Sequence, residues 1–268
     1  MLNILVTNDD GIYAEGIALL ANALKQYGNV TVVAPLECRS AGSHSINIKN
    51  PLSFEKLNVI DDVECYGTNG TPVDCVRLAR SIFDDKFDVI FSGINNGLNL
   101  GTDIIYSSTV AAAREGFIEG IPAVSLSTDV DSFEIVKNEL EDLIGYIIDC
   151  HLFSDEYYLN INFPVKGIKK SEGIRVARQG KKRFKTTFKK NAEGLYQEDY
   201  NDISYDEDLS TDVQLASMGY ITIVPLVVDQ TDEEKIDLLE NILLGWFYHS
   251  FFSKKSNFNY FKDYIFML

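Results

Sequence analysis

Between residues 2 and 127 the chain alternates short apolar runs with segments of helical periodicity, and this alternation constrains the fold more than any other feature. Leu2, Ile4, Leu5 and Val6 make a buried strand, as do residues 30–34 (Val-Thr-Val-Val-Ala, ended by Pro35), 88–94 and 123–127. Helix patterns lie between them at 15–27, 72–83 and 109–119. The second of these opens on Thr71-Pro72-Val73-Asp74, a Thr cap followed by Pro at the first helical position and an acid at the third. Strands that are apolar throughout, each followed by a helix, imply a parallel sheet covered on both faces. Right-handed crossovers then bring every strand-to-helix loop to one edge of that sheet.

At 268 residues the chain is long enough for one large α/β domain, and 46% hydrophobic and 24% charged residues describe an ordinary globular protein. Its net charge of −16 argues against a nucleic-acid polymer as a stable partner, because phosphate contacts need a basic face. The same charge means that any phosphate-handling role needs a metal ion or local donors. Cys38, Cys65, Cys75 and Cys150 show no CxxC pairing and no zinc-like spacing. With no signal-peptide pattern at Met1-Leu2-Asn3, reduced thiols in a cytoplasmic protein are expected. No apolar stretch reaches the ~18 residues needed to cross a bilayer, so no membrane partner is expected.

Further along, residues 132–150 read as a long helix, 158–163 and 220–228 as strands, and Thr231-Asp-Glu-Glu234 as a helix start with a capping box. Residues 167–208 differ in character. A basic cluster at 181–190 precedes an acidic run through Glu198, Asp199, Asp202, Asp206, Glu207 and Asp208. Interleaved aromatics there predict an extended hairpin arm, with the two charge blocks attracting each other across it or across a subunit boundary. The aromatic and lysine-rich residues 251–268 receive no assignment.

Four loops meet at the predicted sheet edge. The first is Asn8-Asp9-Asp10-Gly11, where adjacent carboxylates at the end of an interior strand need a cation or a proton to offset repulsion and lost hydration. Taken alone, this fragment is read equally well as a helix cap with a glycine bend. The second loop, 35–46, carries Arg39, Ser40 and His44; the third, 92–103, carries Asn95, Asn96 and Asn99. The fourth, Tyr106-Ser107-Ser108-Thr109, opens a helix, where hydroxyls and backbone N–H groups form an anion cradle. Each has an ordinary reading as a turn or a cap. Together they bring carboxylates, neutral oxygens, an arginine and a hydroxyl-rich helix start to one crevice. That set suits a hard divalent cation and a phosphate ester, and no GxGxxG, Walker A or GxSxG motif points elsewhere.

These residues carry a resemblance. Asn8-Asp9-Asp10-Gly11-Ile12, Val33-Ala34-Pro35, Arg39-Ser40, Gly70-Thr71-Pro72-Val73-Asp74-Cys75-Val76, Ser92-Gly93-Ile94-Asn95-Asn96-Gly97, Tyr106-Ser107-Ser108-Thr109-Val110 and Asn160-Ile161-Asn162-Phe163-Pro164 occur in that order. The chain resembles the SurE survival-protein family of metal-dependent nucleotidases from residue 3 to about residue 165, and weakly through residues 219–226. The resemblance implies a single Rossmann-like α/β domain over 1–268, a parallel sheet with helices on both faces. It further implies that the arm at about 167–208 and the C-terminal segment serve in a homodimer or tetramer. It implies hydrolysis of nucleoside 5′- and 3′-monophosphates with one divalent metal ion, Mg2+ or Mn2+. Metal ligands are then expected at Asp9, Asp10, Ser40 and Asn95, with Asp9 also catalytic, and a phosphate pocket at Asn99, Ser107 and Thr109.

Three departures stand out against the family's usual pattern. Ser108 and Ala111 occupy positions where glycines are usual, so Ser108 would either crowd the phosphate or add a hydroxyl donor. Arg39-Ser40-Ala41-Gly42-Ser43-His44 replaces the commoner Arg-Ser-Gly-Ala-Ser, and Ser210 precedes Thr211-Asp212 where an acid is more usual. Two rivals follow. Asp9 as a covalent nucleophile is disfavoured because a second acid would be expected two residues on, where Gly11 stands. A non-catalytic nucleotide sensor that keeps the pocket is the alternative from another class.

Overall fold

The computed structural model describes residues 1–84, 86–184, 186–199, 203–205 and 208–252. They form two compact units, 1–228 and a segment from residue 229 onward. The first unit is built on a nine-stranded sheet. Its strands are β1 (Leu2–Thr7), β2 (Gly28–Pro35), β3 (Glu55–Leu57), β4 (Glu64–Thr68), β5 (Val89–Asn96), β6 (Ala123–Thr128), β7 (Tyr158–Asn162), β8 (Ile174–Val176) and, after the arm, β13 (Ile221–Leu226). The helices are α1 (Glu15–Leu24), α2 (Pro72–Ile82), α3 (Asp103–Tyr106), α4 (Ser108–Ile118), α5 (Phe133–Asp149) and α6 (Asp212–Ser217). The second unit contains α7 (Glu233–Phe252). The unassigned stretch 251–268 falls outside the described residues from 253 onward.

The strand order is β3-β4-β2-β1-β5-β6-β7-β13-β8. From β4 through β7 every neighbouring pair is parallel, while β3 and β13 run antiparallel to β4 and β7. The expected parallel α/β sheet is therefore present. Its chain order reverses at β1, which lies between β2 on one side and β5 on the other. The crevice beyond the carboxyl ends of β1 and β5 is a topological switch point, where open α/β sheets bind ligands.

β1 shows how the sequence produces two cores. Successive side chains of a strand point to opposite faces. Ile4 and Val6 thus pack with Leu20 and Leu24 of α1 and Leu140 and Ile144 of α5. Leu5 packs on the other face with Val76 and Ala79 of α2 and Val110 and Ala113 of α4. The Thr71 cap forms as expected: its hydroxyl accepts from the Asp74 amide at 3.1 Å, and Asp74 Oδ2 accepts from the Thr71 amide at 2.9 Å. α1 ends at Leu24, three residues short of the expected boundary, where Tyr27 N–H turns back to the Leu24 carbonyl.

The hairpin arm is narrower than expected, because residues 174–176 join the main sheet beside β13. The remainder forms two nested two-stranded ladders. β9 (Lys182–Phe184) pairs with β12 (Ile203–Tyr205), and β10 (Thr187–Lys190) pairs with β11 (Tyr196–Asp199). The register sets Thr187 and Phe188 opposite Asp199 and Glu198, and Lys189 and Lys190 opposite Gln197 and Tyr196, so the two segments pair without a Lys or Arg directly opposite an acid. Asp202, Asp206 and Glu207 lie outside the described residues. All four cysteines are free thiols. Among the described residues no helix is long and apolar enough to cross a membrane.

Candidate active site

The site forms where β1 breaks. Gly11 has φ +102°, which a residue with a Cβ rarely adopts. Buried Asn8 closes the turn, accepting from the Gly11 amide at 3.2 Å and donating from Nδ2 to the Gly11 carbonyl at 2.9 Å. The two carboxylates therefore leave the strand on a rigid bend. Neither caps α1, whose N-cap is Ala14 with no side-chain hydrogen bond.

Asp9 is almost completely buried. Burial pushes its carboxyl up from 3.8 to about 6; the Thr109 hydroxyl opposes that rise and the neighbouring Asp10 adds to it. Thr109, itself fully buried in the first turn of α4, donates its hydroxyl to Asp9 Oδ1. The Asp9 carbonyl accepts from the Arg39 amide at 2.7 Å. Asp10 is partly exposed, and its Oδ2 accepts from the Asn96 amide of β5 at 2.9 Å. Ser40 and Asn95 are thus each one residue from a backbone group that bonds Asp9 or Asp10. Ser40 is exposed, its Oγ 3.0 Å from Cys38 Sγ. Asn95 donates Nδ2 to the Gly97 carbonyl at 2.6 Å, which leaves its Oδ1 as the acceptor. Beside Asp10 opens a cleft of about 470 Å3, lined among others by Gly16, Asn96, Phe133 and Lys137.

On the opposite side stands α4. Ser107 is its N-cap and accepts from the Val110 amide at 3.1 Å. Ser108 turns away from the pocket: its hydroxyl donates to the Arg39 carbonyl at 3.0 Å and accepts from the Gly42 amide at 2.9 Å. Asn99 is buried, and its backbone is clamped by two buried strand asparagines. Its amide donates to Asn162 Oδ1 at 2.8 Å, and its carbonyl accepts from Asn160 Nδ2 at 2.9 Å and Asn162 Nδ2 at 3.1 Å. Arg39 donates Nη2 to the Asn69 carbonyl at 3.1 Å, while its buried Nε has no hydrogen-bond partner.

Several supports carry no clear signal in the sequence. The clamping role of Asn160 and Asn162 is hinted at only by polar residues inside an apolar strand. Glu115 of α4 is buried and holds the Ser40 loop through His44 Nε2 at 2.8 Å, with Arg77 at 3.3 Å on its other oxygen. Asp212 is fully buried and ties the loop after β5 to the root of the arm, accepting from the Gly101 amide at 2.9 Å and the Gly180 amide at 2.8 Å.

Among the described residues no three His, Cys, Asp or Glu side chains converge as a metal cluster. The donor set is two carboxylates with neutral oxygens nearby. Hard cations such as Mg2+ accept such a set, since they keep waters in the remaining positions. A buried carboxylate with a raised pKa beside a second acid is also a group that a cation would stabilise.

The family model described as "Survival protein SurE" matches residues 4–186. The chain belongs to the SurE family. It is 38% identical over 256 residues to a 5′-nucleotidase SurE of Clostridium botulinum, covering 91% of this chain and 100% of that protein. A 5′-nucleotidase SurE of Caldanaerobacter subterraneus is 42% identical over 250 residues, covering 89% and 96%. The crystal structure of a SurE protein from Aquifex aeolicus superposes with a TM-score of 0.75 at 33% identity, covering 90% of this chain and 99% of that one. Each of these SurE relatives matches about nine-tenths of this chain, far more than one motif.

Proposed function

We propose that this SurE-family chain is a phosphoric monoester hydrolase that releases phosphate from nucleoside 5′-monophosphates, and from 3′-monophosphates as well, with a divalent metal ion, Mg2+ or Mn2+. Asp9, Asp10, Ser40 and Asn95 would hold the ion, with Asn99, Ser107 and Thr109 around the phosphate. The observation that carries this reading is the buried Asp9 carboxylate beside Asp10 at the switch point, engaged with α4 and not spent on capping α1. When bound, the dication supplies charge neutralisation for an anionic ester and acidifies water.

The chain's own groups would do the rest. The start of α4 presents its dipole to the phosphoryl group. Arg39, whose Nε has no hydrogen-bond partner and whose Nη2 lies 3.9 Å from Glu37, would add a cation to the loop beside the site. Asp9, whose buried carboxylate stands at the strand end beside Asp10, is placed to take a proton from attacking water. The cleft beside Asp10 has room for a nucleoside. Exposed Phe188 and Tyr196 on the β10–β11 ladder, with exposed Leu195 in the turn between, support assembly of two or four copies, which light scattering would measure.

The deciding assay is phosphate release from 5′- and 3′-AMP and GMP with Mg2+, with Mn2+ and with EDTA. Metal-dependent turnover that Asp9→Asn abolishes and Arg39→Ala only weakens is the expected result. Nucleotide binding without turnover would support the sensor instead, and a trapped phosphoprotein would revive a covalent Asp9.

A further inference from the structure

The segment that carries Ser40 has no regular secondary structure between Pro35 and Glu55, so its conformation depends on side chains that reach it from elsewhere. Within it Ala41 has φ +57° and Ser43 φ +50°. L-residues hold that conformation only where their surroundings impose it. Ser108 does so on both sides of the Ser40–Ala41 pair. Its single hydroxyl donates to the Arg39 carbonyl immediately before the pair and accepts from the Gly42 amide immediately after it. The Ser108 side chain is buried, which shields its end of these bonds from water.

Space for this arrangement comes from Gly42. A Cβ there would lie 3.0 Å from Ser108 Oγ and 3.2 Å from the Arg39 carbonyl oxygen. The hydroxyl at 108 therefore leaves little room for a side chain at 42, and the two positions, 66 residues apart, are in contact. Ser108 also sits between Ser107, the cap of α4, and Thr109, which donates to Asp9. Its hydroxyl thus ties the loop bearing one candidate metal ligand to the helix start that orients another.

We propose that Ser108 is a positioning residue that, with Gly42, braces Ser40 at the metal site. The role rests on the reading of Asp9, Asp10, Ser40 and Asn95 as metal ligands. Both capacities of the Ser108 hydroxyl are engaged by the loop, so it neither donates to phosphate nor crowds it.

The test is direct Mn2+ binding, by calorimetry or electron paramagnetic resonance, on the full chain. The set is wild type, Ser108→Ala, Gly42→Ala, the double variant and Asp9→Asn, each with metal-free thermal midpoints and kcat and KM. Ser108→Ala is expected to weaken Mn2+ about tenfold, the low end of what outer-sphere partners contribute, with kcat falling and KM for the nucleotide little changed. Gly42→Ala should weaken Mn2+ in the wild-type background and less where Ser108 is already Ala, because the nearest crowded atom, Ser108 Oγ, is gone while the Arg39 carbonyl oxygen remains. Unchanged Mn2+ affinity in Ser108→Ala, with only a lower thermal midpoint, would overturn the proposal and leave a merely structural serine. Fully independent effects at 42 and 108 would also overturn it. If wild type binds Mn2+ and Asp9→Asn does not, either failure concerns the brace alone. If wild type binds no Mn2+, the metal-site reading falls and the brace falls with it.

Discussion

Thr109 donates its hydroxyl to Oδ1 of Asp9, joining the first turn of α4 to the end of β1 across one hundred residues of chain. Both residues are buried, so the bond fixes the carboxylate's direction in a site that water cannot remodel freely. A hydrogen bond to a charged group is worth about 1.5–3 kcal/mol. Thr109→Val keeps the shape and removes the donor, so kcat should fall by ~10- to 100-fold. Because that bond also lowers the Asp9 pKa, the acidic limb of the pH–rate profile should move to higher pH. A profile superposable on the wild type would contradict this role.

The second prediction concerns pH and metal. In the folded chain the Asp9 carboxyl titrates at about 6, above its ordinary 3.8. The folded state thus holds this proton more tightly than the unfolded state. Its contribution to stability is fully present below about pH 4 and is lost as pH rises through 6. Thermal midpoints in EDTA should fall over that window, and Asp9→Asn should flatten the decline. Added Mg2+ or Mn2+ should stabilise the protein more at pH 8 than at pH 5, because the ion needs the ionised carboxylate.

α1 rides directly on β5 at Gly16. A Cβ there would lie 2.0 Å from the Ile94 carbonyl oxygen, a backbone atom that cannot swing aside. Gly16→Ala should lose about 3 kcal/mol in chemical denaturation and should displace the strand that carries Asn95. Gly145→Ala in α5 is the control. Its added carbon meets only the Tyr27 hydroxyl, at 3.2 Å, so helix propensity should leave it neutral or stabilised.

Asp212 accepts from the amides of Gly101, Gly180 and Val213. Asparagine has one acceptor oxygen, so Asp212→Asn turns an NH2 group toward a buried N–H. The expected loss is about 2 kcal/mol, measured by denaturation. Since Gly101 follows the loop that holds Asn99, KM for the nucleotide should rise as well. A loss of stability with KM unchanged would separate the arm root from the pocket.

The strands that build the switch point were legible because β1, β2 and β5 carry apolar residues on both faces, as burial between two helix layers requires, while β6 and β7 show an apolar face alternating with small or amide side chains. β4 was not, since Glu64-Cys-Tyr-Gly-Thr68 has neither a continuous apolar run nor clean alternation. The six-residue α6 is too short for a periodic signal. At the site, composition marked the loops correctly as polar and turn-forming, yet the direction of each side chain was hidden. Ser107, Ser108 and Thr109 are three adjacent hydroxyls that a sequence cannot tell apart. One caps the helix, one braces a loop and one holds Asp9.

What the chain carries in its order of residues is the alternation of strand and helix and the chemistry of four loops. Those follow from local periodicity and from the need to keep polar residues out of the core. Which atoms meet is a different matter. The burial that raises the Asp9 pKa, the amide of Asn96 on Asp10 and the Asn160–Asn162 clamp on Asn99 all join residues far apart in the chain. They exist only once the sheet has closed around β1, because hydrogen-bond direction and desolvation depend on packing in three dimensions.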